Sequence, residues 1–214
     1  MRKSTVLIAI LAIIIIIFAV LYFNSEKERK DIQTRIADIE QKILDDKKRE
    51  EAKQIEETRI NDEYRKILVT TCAEIYIGSI SSYMACSLIS TSWKSAVDSR
   101  YGNIDEAISR VKKVMQEKGL YEQNDDIKSK VDGNMVKLQN PPEKFVLSYK
   151  LVLEMYGFYV QLFNQSKSPS GSYISFNQEI NKTYSEMERV FNQISVVLPE
   201  VKAKVDEEKK NAIL

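Results

Sequence analysis

The chain contains no histidine, and it has only six glycines, four prolines and two cysteines among its 214 residues. Without histidine it cannot form a histidine-based catalytic triad, a histidine-containing zinc site or the Glu-x-x-His ligand set of di-iron bundles. The low glycine and proline content argues against a loop-rich β-sandwich and against collagen-like or linker-dominated chains. These scarcities exclude several classes of function before any motif is considered.

An excess of charge of either sign is also missing. The chain has 32 basic and 31 acidic side chains, which gives a formal net charge of +1. Because this balance provides no overall field to hold a polyanion, we predict that nucleic acid is not a partner. The length allows one membrane or targeting element together with a single folded domain.

Residues 6–23 form an unbroken run of eighteen apolar residues. A helix of that length is about 27 Å long, close to the roughly 30 Å thickness of the hydrocarbon core of a bilayer. A cleaved signal peptide is the main alternative because Arg2 and Lys3 form a basic start, but its apolar core is usually about 7 to 15 residues long. No small-x-small cleavage site follows the run. We therefore predict an uncleaved anchor that contacts membrane lipid through residues 6–23.

The orientation of this anchor is less strongly determined, because basic residues flank it on both sides. Arg2 and Lys3 precede it, and it is followed by Lys27, Arg29, Lys30 and Arg35. The compact basic tail, the acidic residues interleaved on the far side and the likeness to a secretory signal favour a cytoplasmic N-terminus. We predict a single-pass protein of the cell membrane, with residues 1–5 as a cytoplasmic tail and the C-terminal domain extracytoplasmic.

Residues 24–66 are predicted to form a charged helical stalk. Four isoleucines, Ile32, Ile36, Ile39 and Ile43, follow one another at spacings of 4, 3 and 4, which is typical of the narrow apolar seam of a coiled coil. Polar residues occupy the continuation, so the seam covers about two heptads, whereas a coiled coil normally needs three or four. A short coiled coil and a solvated helical spacer held by charge pairs both stay open.

A longer seam crosses residues 68–96 at strict spacings of 4 and 3, and its members are Leu68, Cys72, Ile75, Ser79, Ser82, Cys86, Ile89, Trp93 and Ala96. It predicts one continuous helix. The small residues near its centre, Gly78 to Ser82, allow another helix to approach closely but weaken the helix itself. Packing against the rest of the chain must then supply its stability.

Four more helical segments follow. Apolar spacings predict helices near residues 104–115, with Asn103 as the N-cap, and near 127–138. Asn140 reads as the cap of a new helix, with proline in its first turn and Glu143 reaching back to the cap. That helix is apolar on almost every side over residues 145–163, which is typical of the centre of a bundle. A turn at 168–172 precedes a last long helix that ends before Pro199.

The sequence shows no strand-like alternation of useful length. It predicts an all-α fold with an N-terminal transmembrane helix, a charged helical stalk and an antiparallel helical bundle over residues 67–199. The bundle core is expected to join the helices that begin near Leu68, Pro142 and Tyr173. Residues 200–214 are predicted to be a polar, frayed tail, although residues 212–214 could dock.

No residue is predicted to act in catalysis, to bind a cofactor or to ligate a metal. Cys72 and Cys86 would lie about 21 Å apart on one helix, beyond the roughly 4.4 to 6.8 Å that a disulfide allows between Cα atoms, so we expect two small buried hydrophobes. A hairpin near Ser79 or an antiparallel dimer centred there would bring them together.

The carboxylate pairs at 45–46, 50–51, 56–57 and 125–126 diverge by about 100° on a helix, which favours solvated faces. Trp93 and the tyrosines of the last two helices either fill the core or line a ligand pocket.

Four short blocks carry a resemblance: Asn140-Pro141-Pro142-Glu143-Lys144, Leu153-Glu154-Met155-Tyr156-Gly157, Ser168-Pro169-Ser170-Gly171-Ser172 and Val197-Leu198-Pro199-Glu200. In this order, over roughly residues 65–200, they resemble membrane-anchored helical proteins of Gram-positive bacteria and their phages that have no assigned function. The resemblance implies a bacterial, envelope-facing setting and transfers no site residue.

We therefore expect a membrane-tethered extracytoplasmic binding or scaffold protein of the bacterial envelope and no enzyme. Its expected partners are membrane lipid and, through the helical seams, a protein or a second copy of the chain. The alternative is a ligand-sensing or enzymatic helical domain that uses an aromatic-lined pocket.

Overall fold

The computed structural model describes the backbone of residues 2–99 and 102–213 and the side chains of residues 14–99 and 102–210. The helices are α1 (Arg2–Asp98), α2 (Ile104–Glu117), α3 (Leu120–Lys137), α4 (Val146–Lys167), α5 (Tyr173–Val197) and α6 (Glu200–Ile213), and a short 3-10 turn at Glu143–Phe145 precedes α4. The structure is 91% helical, and the described residues contain no strand. The predicted all-α class is confirmed.

The chain divides into two compact units, Met1–Arg59 and Ile60–Leu214. The first unit consists of the N-terminal part of α1. Every described side chain from residue 14 to residue 59 is exposed. Ion pairs one turn apart, such as Glu26 with Lys30 and Glu56 with Arg59, run along its surface, as expected for a charged helix.

The second unit is a helical bundle that begins at Ile60, seven residues before the predicted bundle. All nine members of the 68–96 seam are buried, so the predicted helix and its buried face are confirmed. Apart from Ala96, their apolar members fall into two core clusters, one containing Leu68 to Ile75 and the other containing Cys86 to Trp93. Ser79 and Ser82 lie between these clusters along α1 and are fully buried.

Helices α1 and α5 pack antiparallel in a seven-residue register. The ring of Tyr76 stacks on Phe191 with 3.9 Å between the centroids, and the ring of Tyr83 stacks on Tyr184 at 4.2 Å. One heptad further, the Ser90 hydroxyl donates a hydrogen bond of 2.6 Å to the side-chain oxygen of Asn177. Each step of seven forward along α1 matches a step of seven backward along α5, which is the spacing of coiled-coil packing.

The start of α4 differs from the prediction. Asn140 does not cap a helix, because residues 139–142 are not helical and Pro142 is extended, with φ −54° and ψ 149°. A residue that precedes proline is driven out of the helical region, and this applies both to Asn140 and to Pro141. The chain then turns through Glu143–Phe145, where the Phe145 N–H donates to the Pro142 carbonyl at 2.8 Å. The predicted cap of α2 is confirmed, since the Asn103 side chain accepts from the Glu106 N–H.

Helix α4 is not buried on all sides either. Its buried side chains form one face at spacings of 3 and 4: Ser148, Val152, Met155, Tyr159, Leu162 and Ser166. Leu147 and Leu153 are 60% and 48% exposed, and Phe158 is only partly buried. The apolar character of α4 therefore exceeds the area that its neighbours cover, and one face of this helix, rather than its whole circumference, enters the core.

The C-terminal residues are not a frayed tail. Glu200 begins α6, in which Val201 is fully buried and Val205 is 3% exposed, both within the core cluster that contains Leu68. The two valines are four residues apart and so share one helix face. The Glu200 carboxylate also pairs with Arg65 of α1, which lowers the pKa of Glu200. Residues 212–214, the docking alternative, lie outside the described side chains.

Candidate functional site

The first candidate surface is the apolar N-terminal part of α1. In residues 14–23, nine large apolar side chains are between 47% and 70% exposed. No described residue of the first unit covers them. Exposed aliphatic surface of this density is costly in water, where burial is worth about 25 cal/mol per Å². Residues 6–13, the other part of the predicted span, lie outside the described side chains.

Helix α1 is long and apolar enough to cross a membrane by length and composition. Within the described side chains, the stretch of α1 that is apolar enough to span a membrane has half of its residues buried. Because every described side chain up to residue 59 is exposed, this half-buried stretch belongs to the bundle, where residues 75–93 contain no charged side chain. The bundle part of α1 is apolar because other helices cover it. Residues 14–23 have no such cover.

A second candidate is a buried polar layer between the two core clusters. Gly78 lies against Tyr159 of α4, and a Cβ atom at Gly78 would be 2.8 Å from the tyrosine ring. One turn further along α1, Ser82 accepts a hydrogen bond of 3.3 Å from the side-chain amide of Asn124 on α3. Ser79 satisfies its own hydroxyl by donating to the Ile75 carbonyl. The glycine and serines thus admit two large polar side chains.

Two polar atoms of this layer have no hydrogen-bond partner among the described residues: the Tyr159 hydroxyl and the Asn124 side-chain oxygen. Tyr159 is fully buried, and Asn124 is 1% exposed. Burial, together with the negative field of Asp132 and Asp125, raises the pKa of Tyr159, so its hydroxyl stays protonated at neutral pH. The layer is therefore electrically neutral and holds no activated nucleophile.

Charged residues of α3 and α4 form a ladder in which one ion pair joins the two helices and the other lies within α3. Lys167 pairs with Asp125 at 2.7 Å, and Lys128 pairs with Asp132 at 2.6 Å. The Tyr156 hydroxyl donates to Asp132 at 2.8 Å. Both lysines also lie within 6 Å of the centre of an aromatic ring, the range of cation–π attraction. Asp125 thus binds α4 through Lys167, whereas the adjacent carboxylates at 125–126 predicted only a solvated face.

The described residues offer no obvious place for a metal ion. Among them, no group of three or more cysteine, aspartate or glutamate side chains is arranged to hold one. The adjacent carboxylates of the first unit are exposed. Glu56, for example, accepts a bidentate pair of hydrogen bonds from Arg59 on its own helix.

Both cysteines are free and buried, and α1 is helical through both positions. The hairpin alternative is therefore wrong. The Cys86 thiol donates a weak hydrogen bond of 3.7 Å to the Leu162 carbonyl. Burial raises the pKa of Cys86 to about 12 and raises the pKa of Cys72 as well. Each thiol is covered by its own chain, so the face through which the antiparallel-dimer alternative would bring the two sulfurs together is already buried.

The thiols should accordingly be unreactive in the folded chain. At pH 8 we expect labelling of Cys72 and Cys86 by a maleimide to be at least about a hundredfold slower than in urea, because only the thiolate reacts and burial suppresses it. The rate is measured by mass spectrometry of quenched samples. A third, exposed cysteine placed at Ser95 provides the control for reagent activity. Equal rates with and without urea would show that the core around α1 opens readily.

The aromatic residues pack against one another. Trp93 contacts Phe176 and Tyr173 at centroid distances of 5.7 and 6.4 Å, and the Tyr121 hydroxyl donates to the Ser166 carbonyl at 3.0 Å.

Two cavities of the bundle lie at its surface. One, of about 270 Å³, is lined by Ser92, Asn103 and Arg110, and the other, of about 370 Å³, is lined by Arg65, Glu200 and Lys204.

Comparisons of this chain with known protein families, with curated proteins and with solved structures found no match.

Proposed function

We propose that this protein is a membrane-tethered, extracytoplasmic helical binding or scaffold protein of the bacterial envelope. The observation that carries the proposal is the contrast within α1. Residues 14–23 expose nine large apolar side chains, whereas the apolar residues of the 68–96 seam are covered by other helices. A bilayer supplies the missing cover for the first group, because an apolar helix of about 18 residues matches its hydrocarbon core.

The compact basic tail supports the direction of insertion. Arg2 and Lys3 lie in a short tail before the apolar run, where basic residues favour the cytoplasmic side. Four basic residues also follow the run, interleaved with Glu26, Glu28 and Asp31, so the count of basic residues alone favours neither side strongly. The resemblance to envelope-facing bacterial proteins supports the same setting.

The chemistry of the bundle supports a binding or scaffold role. Charged side chains between α3 and α4 are used in ion pairs, and the polar layer around Tyr159 is neutral. Trp93, one of the candidates for lining a ligand pocket, packs against Phe176 and Tyr173. No contact in the described part of the chain favours the alternative of an aromatic-lined ligand pocket.

Membrane fractionation tests the proposal. The full chain should stay in the membrane pellet after washing with alkaline carbonate or high salt, and protease added outside intact cells should digest the bundle. A chain carrying both Ile15→Lys and Phe18→Lys should move to the soluble fraction, since each lysine near the centre of a span costs about 2.5 to 3.5 kcal/mol. The control carries the same changes at Ile55 and Ile60, exposed residues outside the span.

The competing outcomes are distinct. A soluble mature chain that begins near Ser25 would identify residues 6–23 as a cleaved signal and overturn the anchor. Digestion of the bundle only after cells are opened would place it in the cytoplasm. Affinity capture from detergent-solubilised membranes, followed by loss of capture when bundle surface residues are changed, would identify the bound partner.

A further inference from the structure

The four isoleucines of the stalk form an apolar stripe that the first unit leaves uncovered. Ile32, Ile36, Ile39 and Ile43 are between 50% and 63% exposed. They lie on one side of a continuous helix, because their spacings of 4, 3 and 4 are those of the d and a positions of a heptad. The residues beside and behind them are mostly charged or amide side chains. We refer to these four residues as the stalk seam.

We propose that the stalk seam packs against the same seam in two further copies of this chain, forming a short parallel three-stranded coiled coil. Three observations carry this: the uncovered stripe, the charges that border it and the side chains that fill it. The proposal concerns residues 28–47 alone and does not depend on membrane insertion.

The bordering charges favour a parallel arrangement. With Ile36 at position a, Arg35 occupies position g and Glu40 occupies the following position e, which are the positions that meet between neighbouring parallel strands. Each parallel interface then joins Arg35 of one copy with Glu40 of the next. In the antiparallel arrangement that pairs Ile36 with Ile39, position g faces position g, so Arg35 would lie beside Lys42 of the other copy. Like charges there oppose that arrangement.

Charged residues in the next heptad limit the length of the coil. One heptad after the Arg35 and Glu40 pair, Lys42 would meet Lys47, and the next core position is occupied by Asp46. Repulsion between Lys42 and Lys47 opposes a longer coil, and so does the cost of burying the Asp46 carboxylate. The coil therefore ends after four core layers. Such a short coil has limited stability by itself.

The side chains in the seam favour three strands. All four core positions, two of type a and two of type d, are isoleucine. Isoleucine at both positions shifts parallel coiled coils from two strands toward three or more, whereas a two-stranded coil prefers leucine at d. The β-branched side chain fits the more open packing of a trimer core. We therefore assign three copies to the interface.

Cysteine cross-linking in membranes tests the arrangement with the full chain. Ile32→Cys should form a covalent pair of chains under mild copper-catalysed oxidation at least about tenfold faster than Gln41→Cys, which lies on the opposite side of the same helix, because a disulfide requires Cα atoms within about 4.4 to 6.8 Å. The unchanged chain measures background from Cys72 and Cys86, which are buried. An antiparallel coil would separate the two copies of Ile32 by about eleven residues, so it would give no pair at this position.

The number of strands is tested by light scattering of the detergent-solubilised protein, with the detergent mass subtracted. We expect three times the 24.7 kDa of the chain. The double change Ile36→Glu and Ile39→Glu should reduce the protein mass to one chain, and Ile55→Glu, an exposed isoleucine outside the seam, should leave it unchanged. A mass of one or two chains for the unchanged protein, or equal cross-linking at positions 32 and 41, would overturn the proposal. Retention in washed membranes is measured separately, so failure of the anchor is distinguishable from failure of the coil.

Discussion

The Met155→Asp chain is expected to lose the folded bundle at room temperature. Met155 is fully buried on the inner face of α4, within the core cluster that also contains Leu68 and Val201. An aspartate there removes a large apolar side chain and buries a carboxylate without a partner, which together cost several kcal/mol. Since the free energy of unfolding of a domain is only about 5 to 15 kcal/mol, most of the stability would be lost.

Trp93 provides the measurement for this prediction. It is the only tryptophan of the chain and is 9% exposed, so its fluorescence reports the core during urea unfolding in mild detergent. Leu153→Asp is the matched control, because Leu153 lies two residues away on the same helix and is 48% exposed. Its unfolding midpoint should shift little. Phe158→Asp, at a half-buried position, should fall between the two. Equal midpoints for the Met155 and Leu153 variants would contradict the orientation of α4.

Two glycine-to-alanine changes should move stability in opposite directions. At Gly78, a Cβ atom would lie 2.8 Å from the ring carbons of Tyr159, which is fully buried, so the ring would have to shift within the packed core. Overpacking of a core typically costs about 1 to 3 kcal/mol, more than the roughly 1 kcal/mol that alanine gains over glycine in a helix. Gly78→Ala should therefore lower the free energy of unfolding.

Gly157→Ala should instead raise the free energy of unfolding by up to about 1 kcal/mol. Gly157 is also inside a helix, but a Cβ atom there would meet nothing within 4 Å. Both variants are compared by urea titration under the same conditions, so the change in helix propensity cancels and the difference reports the contact with Tyr159. A stabilising Gly78→Ala change would show that α1 and α4 are further apart than the structure places them.

Much of the fold could be predicted from the sequence, because it depends on the spacing of residues along the chain. The 68–96 seam, the cap at Asn103 and the turn before α5 all follow from local periodicity or local hydrogen bonding. The start of α4 also depends on local sequence, but two local effects compete there. The restriction that each proline imposes on the preceding residue outweighs the capping signal at Asn140. The burial of α4 and the docking of α6 depend on which helices are available to cover them. Spacing alone does not contain that information.

The candidate site was predicted less completely than the fold. The small residues at 78–82 indicated close approach of another helix, and the structure identifies that neighbour as Tyr159 of α4. The pair of Lys128 and Asp132 is visible as an i,i+4 spacing, but its third member, Tyr156, comes from a different helix. Asn124 carries no sequence signal, because a polar residue on a charged helix is ordinarily exposed. Cross-helix polar contacts become evident only after the helices are placed together.

The order of synthesis gives the docking of α6 a further consequence. Val201 and Val205 leave the ribosome more than a hundred residues after Leu68, yet they pack in the same cluster. At roughly 5 to 20 residues per second, Leu68 therefore waits on the order of 10 seconds for these two neighbours. During that interval the apolar face of α1 around Leu68, Cys72 and Ile75 is only partly covered. This face is thus open to association with other chains until α6 docks, because transiently exposed apolar surface promotes aggregation.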